Sequence, residues 1–296
     1  MASDTFSIGD ITAVIGDNSA QDNHRAGYNG LWSLTHKAEK TNVFVPTVAG
    51  LNLEHIFDGE TLDPKGETKI FFEPRNAAMT LKKLSATEAE LHQPPTPTFH
   101  LESWTTFKLV EPHYVDFAFR FRATQHAFKR GYIGLFWASY INAPDDKSMY
   151  LRGKSGWLQH CTPAHDTLST VLHEKDTFEM TFSKVHRDCL YRNFSPLRYE
   201  LPFFYGLFRD MTLMVMLDRT EGVRWSHDGT ALLLLCRRPG ARVNAFELWL
   251  YRLDVPGRAA VPVVRGLTWG GVSAYGLAPS LFTHTAWSRA LATAPR

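Results

Sequence analysis

From Tyr114 to Arg122 the chain reads Tyr-Val-Asp-Phe-Ala-Phe-Arg-Phe-Arg, an alternation that only an extended backbone can use. Val115, Phe117, Phe119 and Phe121 fall on one face. Asp116, Arg120 and Arg122 fall on the other, which must meet solvent or a polar cleft. Upstream, Phe99–Val110 is a second strand-like run, and Glu111-Pro112-His113 between them makes a hairpin joint. The same texture recurs in short apolar runs broken by turn residues: Leu31–Leu34, Val43–Val48, Lys69–Phe72, Tyr132–Ile141, Phe178–Phe182, Phe203–Phe208, Met211–Leu217 and Ala231–Cys236. These runs are rich in Phe, Tyr, Trp, Val and Thr, which fit a pleated surface. Helical signals are confined to Ala86–His92 and Leu168–His173, each one or two turns. The pattern predicts an all-β fold, a large antiparallel β-sandwich with few short helices. No repeat of solenoid or propeller length is present.

At 296 residues the chain is long enough for a sizeable core, and its formal net charge of +2 advertises neither nucleic acid nor an anionic membrane as partner. No apolar run approaches membrane-spanning length. The first residues lack the basic flank and apolar run of a secretory signal, so the expected location is cytoplasmic. Cys161, Cys189 and Cys236 are odd in number and far apart, and they read as reduced, buried small hydrophobes. Three stretches differ in texture. Residues 1–27 form a polar lead-in of short strand or loop, 28–228 carry the strand-rich domain, and 229–296 are Arg- and Ala-rich. In that last stretch all the basic residues are arginine and the only acids are Glu247 and Asp254. The arginines are scattered, so a polyanion patch there competes with a divergent, partly unpacked tail.

No Gly-rich phosphate cradle, nucleophile elbow or His-Glu-x-x-His zinc motif occurs, and no cofactor is expected. Chemistry concentrates elsewhere. The most informative segment is Asn42-Val43-Phe44-Val45-Pro46, then Ala49-Gly50-Leu51-Asn52-Leu53-Glu54-His55-Ile56-Phe57-Asp58-Gly59, then Phe71-Phe72-Glu73-Pro74-Arg75. It sets Glu54 and His55 among apolar residues and puts Arg75 at a strand end, where a guanidinium can fork onto a carboxylate or donate to hydroxyls. A purely structural ion pair among Glu54, Glu73 and Arg75 is the plainer alternative.

With the joint Glu111-Pro112-His113-Tyr114-Val115-Asp116 and the strand Gly134-Leu135-Phe136-Trp137-Ala138-Ser139-Tyr140-Ile141-Asn142, this order resembles bacterial proteins of the galactose-mutarotase-like β-supersandwich group over roughly residues 28–228. The resemblance implies a supersandwich whose concave face holds a sugar. The downstream mutarotase signature is absent.

Eight of the thirteen histidines lie between His100 and His227. Imidazole moves protons near neutrality, so His113 beside Tyr114, together with His186, is the catalytic candidate set for proton transfer on a sugar, as in epimerases or lyases. Neighbours on a regular strand point to opposite faces, so the His113–Tyr114 pair requires an irregular backbone at the joint. Glu54, His55, Arg75, His160, Tyr205, Arg209 and His227 are the substrate-binding candidates. Interleaved aromatics and charges from Lys184 to Asp228 suit sugar C–H faces and hydroxyls. The expected partner is a mono- or oligosaccharide. Two other readings remain open: a non-enzymatic recognition module, and a metal-dependent hydrolase using His160, His165 and Asp166.

Overall fold

The computed structural model describes residues 2–61, 70–163, 167–183 and 192–227 in full, with the backbone of three strands beyond them. Nearly every regular element is a strand. A three-stranded antiparallel sheet holds β1 (Ser3–Ile8), β2 (Ile11–Gly16) and β3 (Gly30–His36) in that order. A six-stranded sheet runs β13 (Phe194–Tyr199), β12 (Thr170–His173), β16 (Val223–Ser226), β17 (Ala231–Leu235), β9 (Gly134–Ala138) and β4 (Asn52–Phe57). One four-stranded sheet is the meander β5 (Thr80–Lys83), β6 (Glu88–Gln93), β7 (Leu101–Val110) and β8 (Tyr114–Ala123). The other is ordered β11 (Gly156–His160), β10 (Met149–Gly153), β14 (Phe203–Phe208) and β15 (Met211–Met216). A last hairpin joins β18 (Ala245–Leu250) to β19 (Val261–Thr268). Pairing is antiparallel throughout except between β12 and β13. The fold is therefore the all-β, sandwich-like architecture that the alternation demanded.

The β7–β8 hairpin carries that alternation as read. Phe119 and Phe121 are buried while Arg120 and Arg122 are exposed. The polar face meets solvent as a cross-strand ladder: the His92 ring stacks on Trp104, Arg120 lies over the Trp104 ring at 4.4 Å, and Arg122 pairs with Glu102. The apolar face enters the main core. There the fully buried Trp137 of β9 takes the edge of Phe119 at 4.7 Å between centroids and sits among Leu53, Leu135, Val171, Phe204 and Trp225. A second core joins β1–β3 to the β5–β8 meander through Phe6, Ile11, Ile15, Leu91 and Phe107. Residues 2–27 thus supply two strands with buried side chains, well beyond a polar lead-in.

Both helical readings resolve as strands. Ala86–His92 overlaps β6, where Ala89, Leu91 and Gln93 are buried in alternation. Its Glu-Ala-Glu-Leu composition favours a helix, but packing against β7 overrides propensity. Leu168–His173 overlaps β12, which lies inside the six-stranded sheet and is buried along its whole length. A strand covered on both faces has no period-two signature to read. The runs Val43–Val48 and Phe178–Phe182 form no strand, and Phe44 makes only an isolated bridge to Ile141. The backbone of β17 continues the six-stranded sheet past residue 228. Cys161 is exposed rather than buried, because it leaves β11 into an irregular segment. Cys189, Cys236, His165, Asp166 and His186 lie outside the described residues.

Candidate functional site

Glu54 owes its position to a defect in strand pairing. Along β4 and β9, Leu53 pairs with Trp137 and His55 with Phe136, so two steps on β4 face one step on β9. Glu54 is the extra residue of a β-bulge. On a regular strand Glu54 and His55 would point to opposite faces. The bulge instead brings His55 Nε2 to 3.4 Å from Glu54 Oε1. The chain enters this bulge through Leu51, whose φ of 48° lies in the left-handed region that a leucine rarely occupies. Backbone outliers of this kind cost on the order of 1–3 kcal/mol and persist where the surroundings over-determine them. Here the surroundings are Ser139, whose Oγ accepts the Leu51 N–H at 2.9 Å, and Asn29, which clamps the next two residues.

Asn29 donates to Asn52 Oδ1 and to the Leu53 carbonyl, both at 2.9 Å. This fixes the Asn52 amide, whose Nδ2 then donates to Glu54 Oε2 at 2.8 Å. Tyr140, just beyond β9, donates its hydroxyl to the same oxygen at 2.8 Å. From the far side comes Arg75, on the single-turn helix α1 (Glu73–Asn76), with Nη1 3.9 Å from Glu54 Oε1. Asn18 and Gln93 tie down α1 through the Pro74 carbonyl at 3.0 and 2.9 Å. Glu73 turns away from this cluster and accepts the N–H groups of Thr98 and Phe99. The Arg75 guanidinium lies 4.1 Å over the Tyr28 ring and 5.1 Å over Phe72. Gly27, at φ 92°, passes close to the Arg75 side chain, where a Cβ would stand 3.2 Å from Nε. His55 stacks on Phe136 and meets the edge of Phe72.

Burial by itself would raise the Glu54 pKa. The His55 contact, the Tyr140 hydroxyl and the Arg75 charge outweigh it, and the carboxyl is held below its ordinary value. Tyr140 moves the other way, pushed up by burial and then by the Glu54 charge. The result is a fixed carboxylate with a proton-bearing phenol, an imidazole and a guanidinium around it. Such an arrangement keeps Glu54 a weak base and leaves the Arg75 and His55 side chains partly exposed beside it.

The other candidates occupy two further neighbourhoods. The loop Asp145–Ser148 gathers one set. Asp145 lies 3.8 Å from Arg209, Asp146 accepts the Tyr150 hydroxyl at 2.6 Å, and the Lys147 carbonyl accepts His227 Nε2 at 2.6 Å. Tyr205 stacks on Tyr150 at 5.0 Å and meets Trp157 edge-on. The His227 Nδ1 accepts the Thr162 N–H at 3.0 Å, so both its ring nitrogens serve the backbone. His160 meets the His227 ring edge-on and bonds the Ser169 carbonyl. These two histidines hold loops together rather than offering themselves to a ligand.

His113 and Tyr114 do meet, at 4.8 Å between ring centroids, because the joint before β8 is irregular as required. Their company is Asp10 in the turn between β1 and β2 and His36 at the end of β3. Among the described residues the candidates thus stand in three separate places rather than in one cleft. Asn52 stands out in the sequence as a polar residue beside Glu54 and His55 but is not among the binding candidates, and Tyr140 and Tyr28 are not singled out for the site at all. For Tyr140 the signal is its place inside the run Gly134–Asn142.

Compared with known proteins, the chain matches no family model, no curated protein and no solved structure.

Proposed function

We propose that this protein binds carbohydrate, and that the Glu54–His55–Arg75–Tyr140 cluster is the group of side chains that reads the hydroxyls. The observation that carries this reading is one desolvated carboxylate held ionised among an imidazole, a guanidinium, a phenol and an amide, with Tyr28 and Phe72 supplying apolar ring surface beside it. Sugars are recognised by such mixtures, in which charged planar groups pair with vicinal hydroxyls and aromatic faces cover C–H bonds. Arg75 presents a fork already oriented by ring stacking, so little side-chain entropy is lost on binding.

Recognition without turnover suits this cluster better than proton transfer. A general base for a sugar carbon works best with a pKa near neutrality, whereas Glu54 is held low and Tyr140 high. The catalytic candidates His113 and Tyr114 stand with Asp10 and His36 instead. A glycan array that includes neutral and uronic-acid oligosaccharides tests the reading. Wild-type protein is expected to retain a defined subset of sugars, and Arg75→Ala to lose it. Absence of any retained sugar for folded wild-type protein overturns it.

A further inference from the structure

Asp10 lies in the turn between β1 and β2, His36 ends β3 and His113 lies in the turn between β7 and β8, and one donor atom from each lies within 4.8 Å of the others. The turns are stitched to one another. The Asp10 N–H donates to the Pro112 carbonyl at 2.8 Å, and the Lys37 N–H donates to the Asp10 carbonyl at 2.7 Å. Gly9, at φ 53°, packs so tightly on Pro112 that a Cβ would stand 2.4 Å from its carbonyl oxygen. A polar groove of ≈ 310 Å³, lined by Asp10, Thr12, Thr35, His36, Lys37 and Lys40 among others, opens beside them.

We infer that these three residues form a binding site for a divalent d-block cation of the zinc class. Two imidazoles, borderline nitrogen donors, outnumber the harder carboxylate and favour zinc, nickel, copper or cobalt over calcium or magnesium. In a tetrahedral zinc site with bonds near 2.0–2.1 Å, donors stand about 3.4 Å apart. Closing from 4.8 Å is a small swing of the exposed His113 ring and its half-buried neighbours. Three protein ligands on two turns and a strand end leave the outward positions to water or to a ligand oxygen from the groove.

The resting hydrogen bonds define what changes on binding. The Ala38 N–H donates to His36 Nδ1 at 3.1 Å, so the ring carries its proton on Nε2, which lies 3.7 Å from Asp10 Oδ2. Ligation through Nε2 shifts that proton to Nδ1, with no net change in protons, and releases the Ala38 N–H. The bond is exposed, so water replaces it. Lys37 pairs with the other oxygen, Oδ1, on a side chain 67% exposed, and its ammonium can swing into solvent.

Titration of the full chain with Zn²⁺ alone, followed by calorimetry, tests the site. One zinc per chain is expected at micromolar affinity, with Co²⁺ giving the absorption of a low-symmetry site. His113→Ala, at an exposed position, is expected to weaken zinc at least about tenfold while melting at the wild-type temperature in EDTA. Absence of saturable binding, or equal binding by His113→Ala, overturns the inference. A matched loss in a His227→Ala protein that circular dichroism shows to be folded would also overturn it by moving the metal elsewhere.

Discussion

The hydroxyl of Tyr140 donates to Glu54 Oε2 at 2.8 Å across 86 residues of sequence, and it does so beside a buried carboxylate that also takes the Asn52 amide. A buried acceptor that loses one donor keeps its desolvation cost. Tyr140→Phe is therefore expected to destabilise the protein by about 1–3 kcal/mol at neutral pH. Urea unfolding of the two proteins checks this, and an unchanged midpoint would mean that the hydroxyl is replaceable by water.

The acid limb of stability depends on the same carboxylate. Glu54 is held below its ordinary value of 4.5, so folding favours its ionised form. Its contribution is complete above the unfolded value and is lost as pH falls through the lower folded value. Glu54→Gln should be less stable than wild type at pH 7, and the gap should narrow below about pH 4.5. Unfolding curves at several pH values measure that gap.

Three buried histidines act in a higher window. Burial depresses the pKa values of His24, His160 and His173 below 6.5, despite backbone carbonyl contacts that oppose it. Between the folded and unfolded values the unfolded chain binds more protons, so stability falls as pH drops below 6.5. His160→Gln is expected to flatten part of that slope. Melting temperatures between pH 7.5 and 5 report it.

Asp218 opposes this trend. Burial raises its pKa to about 7, only partly offset by Arg219, and neither carboxylate oxygen has a hydrogen-bond partner among the described residues. Its ionised form is disfavoured by folding, so its contribution weakens as pH rises from 3.8 through about 7. Asp218→Asn should stabilise the protein at pH 8 and change little at pH 4. Equal melting temperatures at pH 8 would contradict it.

Legibility in the sequence followed burial geometry. The β8 strand announced itself because one face is apolar and the other wet, and the Glu111-Pro112-His113 joint marked the hairpin. The strand at Thr170–His173 is buried on both faces, so its pattern carries no period, and Glu-Ala-Glu-Leu in β6 has a helix propensity that packing against β7 overrides. Glu54, His55 and Arg75 stood out as charges set among aromatics and glycines. The bulge that turns Glu54 and His55 to the same side is a property of pairing between β4 and β9, which one strand alone does not reveal. Asp10, His36 and His113 share no local motif, since only the packing of two turns against the end of β3 assembles them.

Calorimetric titration of wild-type protein and Arg75→Ala with the best-retained oligosaccharide tests the central claim most directly. The guanidinium over Tyr28 and the carboxylate of Glu54 are expected to act together, so Arg75→Ala should bind at least about tenfold more weakly, a loss of roughly 1.4 kcal/mol. Arg75→Ala also removes a partner of the buried Glu54 carboxylate and is expected to melt lower, so the two affinities are compared at a temperature where circular dichroism shows both proteins folded. Equal affinity in the two proteins would contradict the account.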